Sequence, residues 1–148
     1  MFRQIYKNKK VLITGNTGFK GSWLTAWLTK LGAKIIGVSK NIPTNPSIFE
    51  ELKLEGQIKH YKEDIRDLSK MIDIISNEKP DFVFHLAAQP LVLTSYNDPI
   101  ETISSNVMGT ANILEAMKTL NNKCTAIIIT SDKAYDNVEQ VLGYKEDD

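Results

Sequence analysis

The sequence predicts an α/β fold built on a doubly wound, Rossmann-like parallel sheet. Short apolar runs of strand length alternate with amphipathic segments of helical length along the 148 residues. The first apolar run ends in a glycine-rich stretch, residues 15–21, that opens a helix. Polar or small residues follow the other runs, at the carboxyl ends where sheets of this class bind ligands. These three patterns together predict a ligand site along one edge of the sheet.

The amino-terminal half is predicted to contain three strands, Lys10–Thr14, Lys34–Val38 and Gln57–Tyr61. A helix over residues 18–31 follows the first strand, and Gly32 closes it. Its periodicity predicts one apolar, core-facing side made of Trp23, Leu24, Trp27, Leu28 and Leu31.

Capping signals define three further helices. They are residues 47–54, 67–79 and 98–118, with Ser47, Asp67 and Asp98 as the predicted caps. The second must end before Pro80, because proline disfavours helical backbone in the residue that precedes it. Pro99 lies in the first turn of the third, where a missing N–H costs nothing.

Two more strands are predicted, Asp81–Leu86 and Ala126–Thr130. The fifth strand is apolar throughout, which is typical of the middle of a parallel sheet. Residues 131–148 are polar and contain no further predicted strand or long helix. Sheets of this class usually continue into a substrate domain, so we expect residues 1–148 to be one incomplete dinucleotide-binding domain without that second domain.

The composition argues against several function classes. The 18 basic and 18 acidic residues balance, which gives no electrostatic footprint for nucleic acid or an anionic membrane. No stretch approaches the roughly 20 apolar residues that cross a bilayer, and the amino terminus lacks a secretory apolar core. The single cysteine, Cys124, cannot form an internal disulfide. We expect a cytoplasmic protein with no nucleic-acid, membrane or metal partner.

A phosphate-binding loop is predicted at Gly15-Asn16-Thr17-Gly18-Phe19-Lys20-Gly21. Gly15 permits a tight turn, Gly18 leaves no Cβ between the helix and the phosphates, and Gly21 allows close helix packing. The G-x-x-G-x-x-G spacing differs from the usual G-x-G-x-x-G, so the strand-before, helix-after context carries the prediction. The candidate cofactor-binding residues here are Gly15, Asn16, Thr17, Gly18, Phe19 and Gly21.

The ends of the second and third strands are predicted to hold the adenosine half of the cofactor. An acidic residue usually binds the ribose hydroxyls after the second strand, but Ser39 and Lys40 occupy that place. This pair tolerates a ribose 2′-phosphate, which leaves NADP open beside NAD, and a solvated lysine is an equally good interpretation. After the third strand, Asp64 and Ile65 can present a carboxylate to the adenine amino group.

Small and reactive residues follow the last two strands. The candidate cofactor ligands after the fourth strand are Leu86, Ala87, Ala88 and Gln89. His85, inside that strand, is interpreted as a packed or hydrogen-bonded histidine. The fifth strand is followed by Thr130, Ser131, Asp132 and Lys133. A hydroxyl, a carboxylic acid and an amine then stand side by side at the sheet edge, and a polar turn without function is the alternative.

Five motifs together resemble the extended short-chain dehydrogenase/reductases, the family of nucleotide-sugar epimerases and dehydratases. They are residues 15–21, Asp64-Ile65-Arg66-Asp67, His85-Leu86-Ala87-Ala88-Gln89, Asn106-Val107-Met108-Gly109-Thr110 and Ser131-Asp132-Lys133. The 4,6-dehydratase branch that acts on CDP-glucose is similar in residues 15–24, Gln89-Pro90-Leu91-Val92, Ser95-Tyr96 and 130–133. The likeness runs along nearly the whole chain.

The resemblance implies an NAD-dependent, internally redox-neutral reaction that eliminates water across C5 and C6 of a hexose. It implies that Ser131 hydrogen-bonds the C4 oxygen and that Asp132 protonates the departing C6 hydroxyl. Lys133 stands where related dehydratases carry a glutamate base. It is either a base with a lowered pKa or a cation that steadies the enolate. Asn106 matches the asparagine that orders the proton-relay region.

The family's Tyr-x-x-x-Lys pair is missing after the fifth strand. Tyr135 and Tyr144 are followed four residues later by acidic residues, and Tyr6 with Lys10 precedes the first strand. Leu93 stands where relatives commonly have arginine. We therefore expect the 148-residue chain alone to have no turnover.

The resemblance also implies the wider setting of the reaction. It points to CDP-glucose as substrate, a homodimer formed through the long helix, and deoxysugar synthesis for a surface polysaccharide such as the lipopolysaccharide O-antigen. An epimerase of the same superfamily and a non-catalytic dinucleotide-binding module are the alternatives.

Overall fold

The computed structural model describes residues 4–131, 135–136, 138–139 and 141–147. The strands are β1 (Lys10–Thr14), β2 (Lys34–Val38), β3 (Lys59–Tyr61), β4 (Phe82–His85) and β5 (Thr125–Ile128). The helices are α1 (Phe19–Lys30), α2 (Ile48–Glu51), α3 (Leu68–Glu78), α4 (Val92–Asn97), α5 (Pro99–Ile103) and α6 (Gly109–Met117). All five strands pair in parallel, in the order β3-β2-β1-β4-β5. This order confirms the predicted Rossmann-like sheet.

Strand β1 is apolar on both faces because helices cover both sides of the sheet. One core cluster contains Leu12, Ile36, Val38, Ile65, Met71, Ile74, Ile75, Val83, Ile113 and Ala116, and so joins the sheet to α3 and α6. A second cluster contains Val11, Ile13, Leu28 and Ile35, and so joins it to α1. Each fully buried aliphatic side chain stabilises the fold by roughly 1.5–3 kcal/mol. The sheet is therefore held rigidly from both sides.

Helix α1 buries small residues, so the prediction that its tryptophans face the core was wrong. Its buried residues are Gly21, Ser22, Thr25 and Leu28. Trp23 and Trp27 are 55% and 46% exposed. The helix approaches the loop after β1 so closely that a Cβ on Gly21 would overlap the carbonyl oxygen of Gly15. Small residues therefore occupy the start of the buried face, whereas Leu28 is buried further along it and Leu24 and Leu31 pack at its margin, as predicted.

Within the described residues strand β5 lies at the sheet edge, which differs from the central position that its apolar sequence predicts. Among the described residues it pairs with β4 alone. Thr125 and Ala126 are exposed, and Ile129 just beyond the strand is 47% exposed. A fully apolar strand is expected to be buried on both faces of the sheet. The described part of the chain buries β5 only partly.

The predicted long helix over residues 98–118 consists of three consecutive segments. Between α5 and α6, Ser104–Met108 forms a π-helical turn, a rare wide turn that often occurs at functional sites. The short helix α4, which precedes α5, was not predicted from the sequence. The π-helical turn carries Asn106.

Two of the three predicted caps are confirmed. Asp67 accepts a hydrogen bond from the backbone nitrogen of Lys70 at 3.1 Å, and Asp98 accepts one from that of Glu101 at 3.0 Å. Ser47 lies at the cap position of α2 but makes no capping bond. Its Oγ is buried and has no hydrogen-bond partner among the described residues.

Among the described residues, every helix falls short of the length and apolarity that a bilayer crossing demands. The same residues include no group of three or more His, Cys, Asp or Glu side chains placed to bind a metal ion. Cys124 lies half-buried just before β5, and burial raises the pKa of its thiol.

Candidate dinucleotide-binding site

One cavity of about 630 Å³ opens at the carboxyl ends of the strands, where the sheet order switches between β1 and β4. Its volume lies within the range of roughly 300–1,000 Å³ that is usual for small-molecule sites. The predicted cofactor-binding residues that line it are Gly15, Thr17, Gly18, Phe19, Gly21, Ser39, Lys40, Asp64, Ile65, Leu86, Ala87, Ala88, Gln89 and Thr130. Glu101 and Ser105, which the sequence did not single out, line it as well.

The glycine-rich loop between β1 and α1 forms one wall of this cavity. Gly15 has φ of +72°, and a Cβ there would stand 2.8 Å from the backbone nitrogen of Ala87. In the described part of the chain, α1 begins without a capping side chain or a first-turn carboxylate. Its free N–H groups and the positive end of its dipole are therefore available at the cavity wall. This arrangement fits a bound pyrophosphate.

Asn16 is the one predicted loop residue that does not line the cavity. Its side chain is fully buried, and its Oδ1 accepts a 2.7 Å hydrogen bond from Ser39 Oγ. Its backbone carbonyl accepts a 3.1 Å hydrogen bond from Ser22 Oγ. The structure thus places Asn16 behind the loop, where it ties the loop to the end of β2. Its contact with a cofactor stays a prediction.

His85 links three elements beside the cavity, which confirms its interpretation as a hydrogen-bonded strand residue. Its Nδ1 lies 2.7 Å from Thr14 Oγ1, and its Nε2 lies 2.9 Å from Thr110 Oγ1. Thr14 Oγ1 already accepts hydrogen bonds from the backbone nitrogens of Leu86 and Ala87, at 3.2 and 3.1 Å. The Thr14 proton must then point to Nδ1, so the ring proton sits on Nε2. Burial lowers the pKa of His85 to about 4, which keeps the ring neutral.

The π-helical turn holds Asn106 against the loop after β4. Its Oδ1 accepts a 2.7 Å hydrogen bond from the backbone nitrogen of Gln89, and its Nδ2 donates a 3.0 Å bond to the carbonyl of Gln89. Thr110 Oγ1 donates to the backbone carbonyl of Asn106 at 2.7 Å. Asn106 therefore fixes the cavity rim from outside, and its catalytic role stays a prediction.

Four charged side chains meet where the cavity reaches the ends of β2 and β3. Arg66 Nε lies 3.1 Å from each carboxylate oxygen of Asp64, and its Nη2 lies 2.6 Å from Oδ2. Lys40 Nζ lies 3.1 Å from Glu101 Oε1 and 3.8 Å from Asp64 Oδ2. Arg66 Nη1 also pairs with Glu101 Oε2.

The paired cations lower the pKa of both carboxyl groups in this cluster. The pKa of Asp64 falls chiefly through the hydrogen bond from Arg66, and that of Glu101 chiefly through the hydrogen bond from Lys40. Both groups are therefore carboxylates at neutral pH.

Sequence reasoning did not assign Arg66, Glu101 or Thr14 to the site. A signal for Arg66 was available, since it stands between two acidic residues in a motif already singled out. Glu101 lies 61 positions from Lys40 in the sequence, and only the path of α5 across the cavity brings the two together. Thr14 ends a buried strand, where its hydroxyl gave no distinctive pattern.

The carboxyl end of β5 is described only in part. Thr130 lines the cavity, and Ser131, which follows it, is exposed. Asp132 and Lys133 lie outside the described residues. Their predicted roles, and that of Ser131, stay predictions.

A parallel sheet with a glycine-rich loop and a cavity at its switch point defines a dinucleotide-binding protein of the Rossmann-like class. The chain belongs to the GDP-mannose 4,6 dehydratase family, whose model matches residues 12–148. It is 49% identical over 146 residues to CDP-glucose 4,6-dehydratase of Salmonella typhimurium, covering 99% of this chain and 41% of that protein. It is 34% identical over 119 residues to GDP-mannose 4,6-dehydratase of Vibrio cholerae, covering 76% of this chain and 32% of that protein. The chain thus spans 41% or less of the length of these two relatives.

Solved structures of epimerases have the same fold. UDP-glucose-4-epimerase of Stenotrophomonas maltophila, with bound NAD, aligns with a TM-score of 0.79 and 26% identity over 90% of this chain and 40% of that chain. The epimerase Mth375 of Methanothermobacter thermautotrophicus aligns with a TM-score of 0.78 and 27% identity over 98% of this chain and 42% of that chain. The predicted resemblance to nucleotide-sugar epimerases and dehydratases is confirmed.

Proposed function

We propose that this chain is the dinucleotide-binding part of a nucleotide-sugar 4,6-dehydratase. The observation that carries the proposal is that residues from all five strand ends converge on one cavity at the switch point of the sheet. The 49% identity to a CDP-glucose 4,6-dehydratase, over 99% of this chain, supports the dehydratase reaction.

The residues around the cavity fit a dinucleotide coenzyme, with NAD proposed first. Gly15 and Gly21 let the glycine-rich loop pack closely against Ala87 and α1, because a Cβ at either position would overlap backbone atoms. The loop leads directly into the amino terminus of α1, which fits the pyrophosphate. Asp64 stands at the end that would hold adenosine, and Ala87 with Ala88 leaves room for the flat nicotinamide. A bound NAD supplies the hydride acceptor for oxidation at C4 of the hexose and the hydride donor for reduction at C6.

The proposed chemical groups follow Thr130, which lines the cavity. Ser131 is proposed to hydrogen-bond the C4 oxygen, and Asp132 to protonate the departing C6 hydroxyl. Lys133 is proposed either to take the C5 proton or to stabilise the enolate as a cation. An ordinary lysine pKa is about 10.4, so the role of base requires a lowered pKa.

The substrate is proposed for the whole protein from the CDP-glucose 4,6-dehydratase to which the chain is similar, and the partner and location from the motif resemblance described above. We propose CDP-glucose as substrate, a homodimer, and deoxysugar synthesis in the cytoplasm for a surface polysaccharide such as the lipopolysaccharide O-antigen. The missing Tyr-x-x-x-Lys pair supports the further proposal that residues 1–148 alone bind coenzyme without turnover.

An epimerase is the second candidate, because the two solved structures compared above are both epimerases. Epimerisation at C4 also uses a bound nicotinamide but eliminates no water. The two candidates differ at Asp132, since an epimerase has no need of an elimination acid there.

A chimera tests the dehydratase proposal. Residues 1–148 are joined to the remaining carboxyl-terminal part of the Salmonella relative and supplied with NAD and CDP-glucose. We expect a product lighter by one water, with a deuterium label at C4 of the substrate recovered at C6. Asp132→Asn should stop the loss of water while NAD affinity changes by less than about twofold.

Two outcomes of this experiment contradict the proposal. A product of unchanged mass with C4 inverted would favour the epimerase. A chimera that binds NAD yet releases no dehydrated sugar would refute dehydratase function.

A further inference from the structure

The cavity lacks the residue that usually sets coenzyme choice in such sheets. A carboxylate after the second strand normally binds the ribose 2′-hydroxyl, whereas a nearby cation accommodates a 2′-phosphate. Here Ser39 and Lys40 follow β2, and Ser39 Oγ already donates to Asn16 Oδ1 at 2.7 Å. Lys40 is therefore the charged side chain that this strand end brings to the ribose. Without a partner, the Lys40 ammonium would favour the 2′-phosphate of NADP.

Lys40 is paired, however, with a carboxylate from another element. Its Nζ lies 3.1 Å from Glu101 Oε1 on α5, within hydrogen-bond distance, but 3.8 Å from Asp64 Oδ2. Asp64 already receives the Arg66 guanidinium through Nε at 3.1 Å and Nη2 at 2.6 Å. Glu101 is therefore the main partner of Lys40.

Glu101 is held in place before any coenzyme arrives. Its Oε1 accepts a 3.2 Å hydrogen bond from Ser105 Oγ, and Ser105 is only 8% exposed. Its Oε2 pairs with Arg66 Nη1, and its backbone nitrogen donates to the cap Asp98 at 3.0 Å. The cluster of Lys40, Asp64, Arg66 and Glu101 contains two cations and two carboxylates, so its formal charge is zero.

We propose that Glu101 selects NAD over NADP by neutralising Lys40 at the ribose end of the cavity. The negative charge that other sheets place after the second strand is supplied here from α5, across the cavity. The 2′-phosphate of NADP carries about 1.5 to 2 negative charges. In this cluster it would lose part of its hydration without gaining a net positive charge in return, which disfavours NADP. NAD leaves the ion pair intact. This inference rests on the proposed function, because it concerns the coenzyme of the same cavity.

Calorimetric titration of the full 148-residue chain with NAD and with NADP tests the inference. The unmodified chain is expected to bind NAD about tenfold more tightly than NADP. Glu101→Gln keeps the side-chain shape and an oxygen for Ser105, but it leaves the cluster with one net positive charge. We expect NADP to bind this variant about tenfold more tightly than it binds the unmodified chain, so that the preference for NAD over NADP is lost. High salt should reduce the gain for NADP, since it arises from exposed charges.

Matched variants separate charge from structure. Glu115→Gln removes a carboxylate that pairs with Lys118 at 2.8 Å on α6, and it should change neither affinity. Adding Lys40→Met to Glu101→Gln should cancel the gain for NADP. Lys40→Met alone, which leaves Glu101 without its lysine, should weaken NADP further by about fivefold.

The inference is overturned if the unmodified chain binds NADP as tightly as NAD, or if Lys40→Met alone strengthens NADP binding. It is also overturned if Glu101→Gln changes both affinities alike, as a general disturbance of α5 would do. Binding of neither coenzyme to the unmodified chain overturns the proposed function itself.

Discussion

At the scale of single residues, the wall of the cavity depends on one consistent arrangement of protons. Thr14 Oγ1 accepts two backbone N–H groups, so its own proton points to His85. A second ring proton on Nδ1 would face a hydroxyl oxygen with no lone pair left. The neutral histidine thus holds the end of β1 and the loop after β4 in register, with Thr110 on its other side.

The first prediction concerns the pH dependence of stability. A histidine titrates near 6.5 when unfolded, whereas His85 titrates near 4 when folded. The unfolded state therefore takes up the proton first, so the stability present above pH 6.5 is lost as pH falls towards 4. Between pH 7 and pH 5 we expect a loss of about 2 kcal/mol in the free energy of unfolding. Urea unfolding at the two pH values measures it.

Variants of the two histidines provide the control. His85→Asn should lose less than half as much stability over this interval. His60, whose pKa is also lowered by burial, is less buried than His85, so His60→Asn should remove a smaller part of the pH dependence. A pH dependence unchanged in His85→Asn would show that this ring does not govern it.

The second prediction concerns Asn106, whose amide bonds both backbone groups of Gln89. Asn106→Asp removes the donor and sets a carboxylate oxygen against the Gln89 carbonyl. We expect a cost of about 1–3 kcal/mol in the free energy of unfolding at pH 7, measured with urea. Asn121→Asp, at an exposed position, should stay within about 0.5 kcal/mol. Equal stability of the two variants would contradict the role given to Asn106.

At the scale of elements, the features decided within a few residues were predictable and those decided by packing were not. Asp67 and Asp98 cap helices through backbone groups three residues away, so the sequence contains the whole interaction. The buried side of α1 depends instead on how closely the helix approaches the loop after β1. The helix therefore turns Gly21 towards the loop and leaves Trp23 and Trp27, which periodicity alone assigned to the core, about half exposed.

In the candidate site, too, the features set by local sequence were predictable and those set by packing were not. Glycines and strand ends predicted most of the cavity lining, because parallel strands bring their carboxyl ends to one edge. The pair of Lys40 and Glu101 depends on the path of α5 across the cavity, which no local pattern indicated. Asn16 has the sequence position of a ligand, but its side chain turns towards Ser39 behind the loop.

The third prediction concerns the contact between the glycine-rich loop and α1. Gly21→Ala introduces a Cβ that would overlap the Gly15 carbonyl oxygen, so the loop or the helix must shift. We expect a loss of about 1–3 kcal/mol in the free energy of unfolding, together with loss of detectable NAD binding. The control is Gly56→Ala, because a Cβ there meets nothing within 4 Å. NAD binding by Gly21→Ala as tight as by Gly56→Ala would refute the proposed phosphate site.

At the scale of the whole molecule, the switch in strand order between β1 and β4 determines where the cavity forms. Chain segments on the two sides of this switch diverge and leave the cavity between the loops after β1 and β4. Because helices pack on both faces of the sheet, the five strand ends form a fixed edge. A coenzyme as long as NAD can lie along that edge, from the ends of β2 and β3 to the end of β5.

A crystal structure of the chain grown with NAD tests this site most directly. We expect the pyrophosphate within hydrogen-bond distance of backbone nitrogens in residues 18–21, adenine beside Asp64, and nicotinamide against Ala87 near Thr130. NAD bound away from the carboxyl edge of the sheet, or a cavity without NAD at saturating concentration, would contradict the proposed site.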